Sequence, residues 1–299
     1  MQALFFKEIY REGDTVTIQW FPGHMTKARK LIQENVKMVD IVIEILDARI
    51  PNSSRNPILS ELIGDTPRLI VLNKADLASQ NLTQNWIKYF SKNGMKAVAV
   101  DSVRKKGIND VKKIISKTLP KSKAAQKFNL QRPIRAMVVG IPNVGKSMFI
   151  NALVGRACTK TENRPGVTRG KQWINIDEEI QLLDTPGILW PKFNDPQIGL
   201  HLAYANVIGS KAYDKTEITL ELLKYLSREY PNNLKDIYKL SFLSENPTEI
   251  LAQIAKSRGY IVKGGGYDVL KTSENILKNF RDGKLGKITI EKPEENINV

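Results

Sequence analysis

The sequence predicts an α/β domain built on a six-stranded, mostly parallel sheet, followed by a helical C-terminal domain. Three observations predict it. Short, almost wholly apolar runs recur and end in polar turn residues, as expected for strands buried on both faces of a parallel sheet. Stretches of helical periodicity lie between them, the alternation of a sheet with helices on both faces. After about residue 190 the strand-like runs become scarce and apolar residues at helical spacing take over.

Taken in order, a helical stretch near 25–38 precedes the first strand, DIVIEILDAR (40–49). PRLIVLNKAD (67–76), MKAVAVDS (95–102) and IRAMVVGIPN (134–143) are the next three, and KQWINID with EIQLLDTPG (171–187) reads as a strand pair. Helical patterns at 80–93, 108–118 and 146–154 fall between or after them. LPKSKAAQKFNLQRP (119–133) is polar, basic and bracketed by prolines, so it reads as a linker. The expected first domain is 1–190. A helical domain at 200–290 carries TEITLELLKYLSREYP, NPTEILAQIAKSRGY and DVLKTSENILKNFRDGKLG. KITIE near the end is the one late strand-like run, and 291–299 is expected to be a disordered tail.

Composition fits a soluble globular chain: 299 residues, 41% hydrophobic and 26% charged. No apolar run reaches the length of about 18 residues that a membrane span needs. The N-terminus does not pattern as a signal peptide, and one cysteine, Cys158, excludes an internal disulfide. A cytoplasmic protein without a membrane role is expected. The charge is unusual: 46 Lys and Arg against 31 Asp and Glu give +15 and a pI near 9.7. Such an excess suits a polyanionic partner, because neutralising phosphates releases counterions. It is concentrated between Arg104 and Arg135, with eleven basic residues and one acid. A plain solvated surface is the competing reading.

GIPNVGKS (140–147) matches a phosphate-binding loop, with a strand before it and a helix after. Its glycines let backbone N–H groups close around phosphate oxygens, and the helix N-terminus adds partial positive charge. Lys146 would reach the terminal phosphates, where it is also a catalytic candidate, and Ser147 would bind magnesium. Asn143, Val144, Gly145 and Met148 complete the candidate phosphate contacts. LLDTPG (182–187) puts Asp184 37 residues after Ser147, as a magnesium ligand acting through water, with the Gly187 N–H sensing the last phosphate. Between them, Thr168 in NRPGVTRG is placed as the switch threonine and a further magnesium ligand.

Asn73-Lys74-Ala75-Asp76 caps the second strand. A carboxylate at Asp76 can accept from both N1–H and the exocyclic amine of guanine, donors that adenine does not offer in that geometry, and such a site rejects the wrong base strongly. Asn73 would tie this loop to the phosphate loop, and Lys74 would lie along the base. Asp101-Ser102 ends the next strand, where a base-supporting loop belongs. The order is therefore base, base support, phosphate, switch, magnesium. An ordinary GTPase starts at the phosphate loop, so this chain reads as a circularly permuted P-loop GTPase. The joining segment is the basic stretch 103–135, and the cut after DTPG leads into the helical domain.

This arrangement resembles the circularly permuted ribosome-assembly GTPases of the YlqF/RbgA type. IQWFPGHMTKARK (18–30), VDIVIEILDARIPNSSRNP (39–57) and GGGYD (264–268) extend the resemblance over nearly the whole chain. It implies GTP hydrolysis to GDP coupled to late maturation of the large (50S) ribosomal subunit, with ribosomal RNA and proteins as partners. It also implies an RNA-binding role for the helical domain; a monomer is expected to suffice.

The position after DTPG is Ile188, which cannot orient water by hydrogen bonding. His24, in a Pro-Gly turn before a helix, is the alternative, and the resemblance assigns this histidine a role in hydrolysis; helix capping or an RNA contact is the competing role. Similar GTPases pair an asparagine at the place of Asn143 with a potassium ion. Two other classes stand beside this reading: a GTP-gated RNA-binding module with incidental hydrolysis, and an ATPase or kinase with a chance NKAD.

Overall fold

The computed structural model describes residues 25–118, 133–155, 172–184 and 195–293. They divide into two compact units, one built from 25–184 with 291–293, the other from 195–290.

The first unit runs α1 (Met25–Val36), β1 (Ile41–Asp47), α2 (Pro57–Ile63), β2 (Arg68–Asn73), α3 (Gln80–Lys92), β3 (Lys96–Val100), α4 (Ile108–Thr118), β4 (Ile134–Val139), α5 (Lys146–Val154), β5 (Gln172–Asn175) and β6 (Ile180–Asp184). The six strands form one sheet in the order β3-β2-β1-β4-β6-β5. All neighbours are parallel except β5 and β6. This is the sheet the apolar runs predict. β1 is buried along its whole length, as a central parallel strand must be. One face packs Val42, Met137 and Leu183 against Ile32 of α1 and Leu59 and Ile63 of α2, and Leu46, Ile70 and Leu72 against Trp86 and Phe90 of α3. Ile43, Ile45, Leu69 and Val71, which point the other way, are also buried.

In the sheet, β2 and then β3 lie beyond β1 on one side, and β6 and then β5 lie beyond β4 on the other. The order reverses between β1 and β4, and in open α/β sheets ligands bind beyond the carboxyl ends of strands at such a switch point. GIPNVGKS leaves β4 and NKAD leaves β2, both at carboxyl ends.

α2 is not expected from the sequence pattern. Asn56 caps it by accepting from Ile58 N–H, and Pro57 occupies its first turn. The linker of 119–133 lies outside the described residues apart from Pro133.

The second unit holds α6 (Pro196–Tyr204), α7 (Lys215–Glu229), α8 (Pro231–Tyr238), α9 (Pro247–Arg258) and α10 (Val269–Arg281). Asp195, Asp214, Asn246 and Asp268 cap four of them through side-chain oxygens. α7 packs against the other four and buries Ile218, Leu222, Leu223 and Leu226. Arg281 closes the unit by donating to the carbonyls of Ala203 and Tyr204 and to the Tyr213 hydroxyl.

KITIE does not form a strand. Ile288 and Ile290 are buried, but the backbone between them is held by side chains. The carbonyl of Thr289 accepts from the Tyr225 and Tyr230 hydroxyls at 3.2 and 3.0 Å. The start of the expected tail is also ordered. Glu291, 8% exposed, belongs to the first unit. Its carboxylate accepts from the backbone N–H of Asn52 (2.5 Å) and Ser53 (3.0 Å) and from the Ser53 hydroxyl. Its carbonyl accepts from the Trp86 indole at 3.0 Å. A carboxylate with this many donors is fixed in place.

Candidate nucleotide site

The phosphate-type loop is shaped by backbone geometry that few residues tolerate. Gly145 has φ +96 and Asn143 φ +61; asparagine is among the side chains that enter the left-handed region most readily. A Cβ on Gly140 would sit 2.6 Å from the Ile45 carbonyl, so glycine lets the loop lie against β1. Gly145 begins α5, and Lys146, Ser147 and Met148 form its first turn. Lys146 Nζ donates to the Ile141 carbonyl at 2.9 Å, which holds the ammonium over the loop.

The early NKAD meets this loop directly. The buried Asn73 amide donates to the Val144 carbonyl at 2.8 Å and accepts from the Ser102 hydroxyl at 2.7 Å. One side chain thus joins the base-reading, phosphate and supporting loops. Lys74, with φ +58, donates to the Asn143 carbonyl at 2.7 Å and to Asp47 at 2.9 Å. Ala75 N–H donates to the Val100 carbonyl at 3.1 Å, fixing the loop to the end of β3. Asp76 keeps partial exposure, and its carboxylate lies 3.4 Å from the Arg104 guanidinium.

Asp101 behaves differently from its neighbour. Its Oδ1 accepts from the N–H groups of Val103 and Arg104, and its Oδ2 pairs with the Arg104 side chain at 3.2 Å. The carboxylate therefore organises its own turn, while Ser102 reaches the site through Asn73.

Asp47 and Arg49 carry no role in the sequence motifs. Asp47 ends β1 and lies in register with Asn73 on β2. Its fully buried carboxylate takes Arg49 Nε at 2.9 Å, Arg49 Nη2 at 2.8 Å, the Arg49 N–H at 3.1 Å and Lys74 Nζ at 2.9 Å. Burial alone would raise its pKa; the charges of Arg49 and then Lys74 outweigh burial and hold the carboxyl well below the usual carboxylate range. Burial pulls Lys74 down, with Asp47 opposing. Arg49 is pushed up, because Asp47 more than offsets its burial and Asp76 adds to the effect. The signal in the sequence is an Asp-Ala-Arg run at the end of a buried strand.

Asp184 ends β6 opposite Val138, two residues before the phosphate loop; its side chain is outside what is described. Among the described residues no three His, Cys, Asp or Glu side chains gather as a metal cluster. Of the expected magnesium ligands, only Ser147, in the first turn of α5, has a described side chain. Hard oxygens beside a phosphate cradle suit magnesium, which is characteristically held by one or two protein oxygens plus substrate phosphates. His24, Thr168, Gly187 and Ile188 lie outside the described residues. His201 is in α6, its ring 6.1 Å from that of Tyr204. Among the described residues no helix is long and apolar enough to cross a membrane.

The comparisons with known proteins agree with this geometry. A family model described as 50S ribosome-binding GTPase matches residues 135–252; the match starts in β4, downstream of NKAD. The chain is 46% identical to ribosome biogenesis GTPase A of Bacillus cereus, over 94% of this chain and 95% of that one. It is 32% identical to mitochondrial ribosome-associated GTPase 1 of Ictalurus punctatus, over 96% of both. The GNP-bound YlqF of T. maritima superposes with a TM-score of 0.64 at 23% identity, covering 90% of this chain and 99% of that one, and so shares the fold.

Proposed function

Because the chain belongs to the ribosome biogenesis GTPase A family, we propose that it is a GTP-hydrolysing assembly factor acting late in maturation of the large (50S) ribosomal subunit. The observation that carries the reading is the Asn73–Val144 hydrogen bond. It joins a base-reading loop to a phosphate loop that follows it in the chain, as a permuted GTP site requires.

In this reading Asp76 accepts from guanine, and Asn73 with Ser102 holds the base-reading loop in register. The N–H groups of residues 143–148 and the Lys146 ammonium take the phosphates. Ser147, Thr168 and, through water, Asp184 would hold magnesium, which when bound would offset charge on the phosphate oxygens. His24 orients the attacking water, which the apolar Ile188 cannot do by hydrogen bonding. Asn143 would hold a potassium ion, which would supply further positive charge at the phosphates. The switch after Asp184 leads along the chain into the helical unit, so nucleotide state is read out there, in contact with ribosomal RNA and protein. The protein acts as a monomer in the cytoplasm.

The test is GTP turnover with and without large-subunit precursor particles, in potassium and in sodium, for the wild type and His24→Ala. Slow turnover alone, stimulation by particles in potassium, and loss of that stimulation in His24→Ala are expected. Absence of stimulation by particles would defeat the ribosome-coupled reading. Intact particle maturation by the turnover-dead variant would favour a GTP-gated binding module.

A further inference from the structure

Lys74 holds two loops at once. An ammonium has three donors; one goes to the Asn143 carbonyl of the phosphate loop and one to Asp47. Asp47 lies in neither nucleotide loop. It sits at the end of β1, placed opposite Asn73 by strand register, and Arg49 fixes its carboxylate with two side-chain hydrogen bonds. A planar guanidinium that grips both carboxylate oxygens sets orientation as well as charge.

We propose that Asp47, locked by Arg49, is a positioning residue for the guanine nucleotide, acting through Lys74 to keep the base-reading and phosphate loops at binding distance before nucleotide arrives. The proposal rests on the GTP-site reading above. Without the carboxylate, the Lys74 ammonium would face the Arg49 guanidinium with no anion between them. It would be repelled, and the Asn143 carbonyl would lose its donor. Lys74 would then be free to leave a left-handed backbone conformation that costs energy for any residue with a Cβ. Binding would have to restore this order each time, and nucleotide affinity falls when a site must be organised on binding.

The experiment is a double-mutant cycle on the full chain with Asp47→Asn and Lys74→Met, measuring GTP affinity and steady-state turnover. Asp47→Asn should weaken GTP about 10- to 100-fold, the worth of a hydrogen bond to a charged group. The loss should fall mainly in KM rather than kcat. The double variant should bind no worse than the weaker single, because both substitutions break one linkage. Losses that multiply, a loss confined to kcat, or an affinity within about threefold of wild type would overturn the proposal. Asp47→Glu keeps the charge beside Arg49 and serves if Asp47→Asn does not fold. Its longer side chain displaces the ammonium, so at least a roughly fivefold loss is expected, and wild-type affinity would refute the idea. A wild-type protein that binds no GTP would instead defeat the GTP-site reading itself.

Discussion

Gly145→Ala probes the contact between the two nucleotide loops at a single atom. The backbone there has φ +96, and the added Cβ would collide with Asn73 Nδ2, well inside van der Waals contact. That amide cannot step aside cheaply, since it is buried and holds both the Val144 carbonyl and the Ser102 hydroxyl. Two costs follow. A side chain in a strained backbone region costs about 1–3 kcal/mol, and leaving buried hydrogen-bond partners unsatisfied costs another 1–3 kcal/mol or so. Together they amount to roughly 2–6 kcal/mol, or about 30-fold to more than 10⁴-fold in GTP affinity if the loss is felt at the site. Titration with a fluorescent guanine nucleotide measures it, with urea unfolding alongside to separate binding from global stability. The sharper readout is the cycle with Asn73→Ala. Removing the amide makes room for the Cβ, so the double variant should lose about 1–3 kcal/mol less than the sum of the singles. Additivity within about 0.5 kcal/mol would show that the loops do not communicate through this contact.

Asp76→Asn replaces an acceptor with a group that presents an N–H to the guanine donors; it should weaken GTP by about 10²-fold or more and let xanthosine triphosphate, which carries an oxygen at C2, compete better than GTP. Unchanged guanine preference in a competition titration would contradict the role of Asp76. In the helical unit, burial pushes the Tyr238 hydroxyl up to about 12 from its ordinary 10.0. The unfolded chain therefore gives up this proton first as pH rises, and the stability that the neutral phenol contributes is present below pH 10 and lost between 10 and 12. The loss is about 3 kcal/mol. Thermal midpoints across that range should fall for the wild type and fall less for Tyr238→Phe; equal slopes would show that Tyr238 does not report on folding.

The strands were legible because a strand buried on both faces has little choice of residue. DIVIEIL and RLIVL admit no solvent-facing alternation, and both became central. The short helices α2 and α8 were not legible. Each spans about two turns, too few for periodicity to stand out. KITIE misled because Ile-Thr-Ile alternates like a strand, whereas its backbone partners are tyrosine hydroxyls supplied by α7 and its C-cap. At the site, the link between NKAD and the phosphate loop was readable from the motifs, because their chemistry needs it. Asp47 was not. An acid with an arginine two residues on reads as an ordinary polar turn, and only β1–β2 register brings it under Lys74. Asp101 was legible only as part of a base-supporting loop; that its carboxylate accepts from the N–H groups of Val103 and Arg104 was not.

Glu291 makes the nucleotide-binding unit discontinuous along the chain. Its carboxylate serves amides of residues 52 and 53 across a separation of 238 residues from Ser53. A chain is made and folds from its N-terminus, so this unit emerges early with a gap in its wall and waits while the whole helical unit is synthesised. The contact that must await the helical unit is also among the longest-range, the costliest kind to close in folding. A fragment ending at residue 192 would carry every nucleotide motif and still expose two amides and an indole N–H that the intact protein satisfies. The helical unit is therefore bracketed in sequence by the nucleotide-binding unit, whose wall is completed only after the helices have been made.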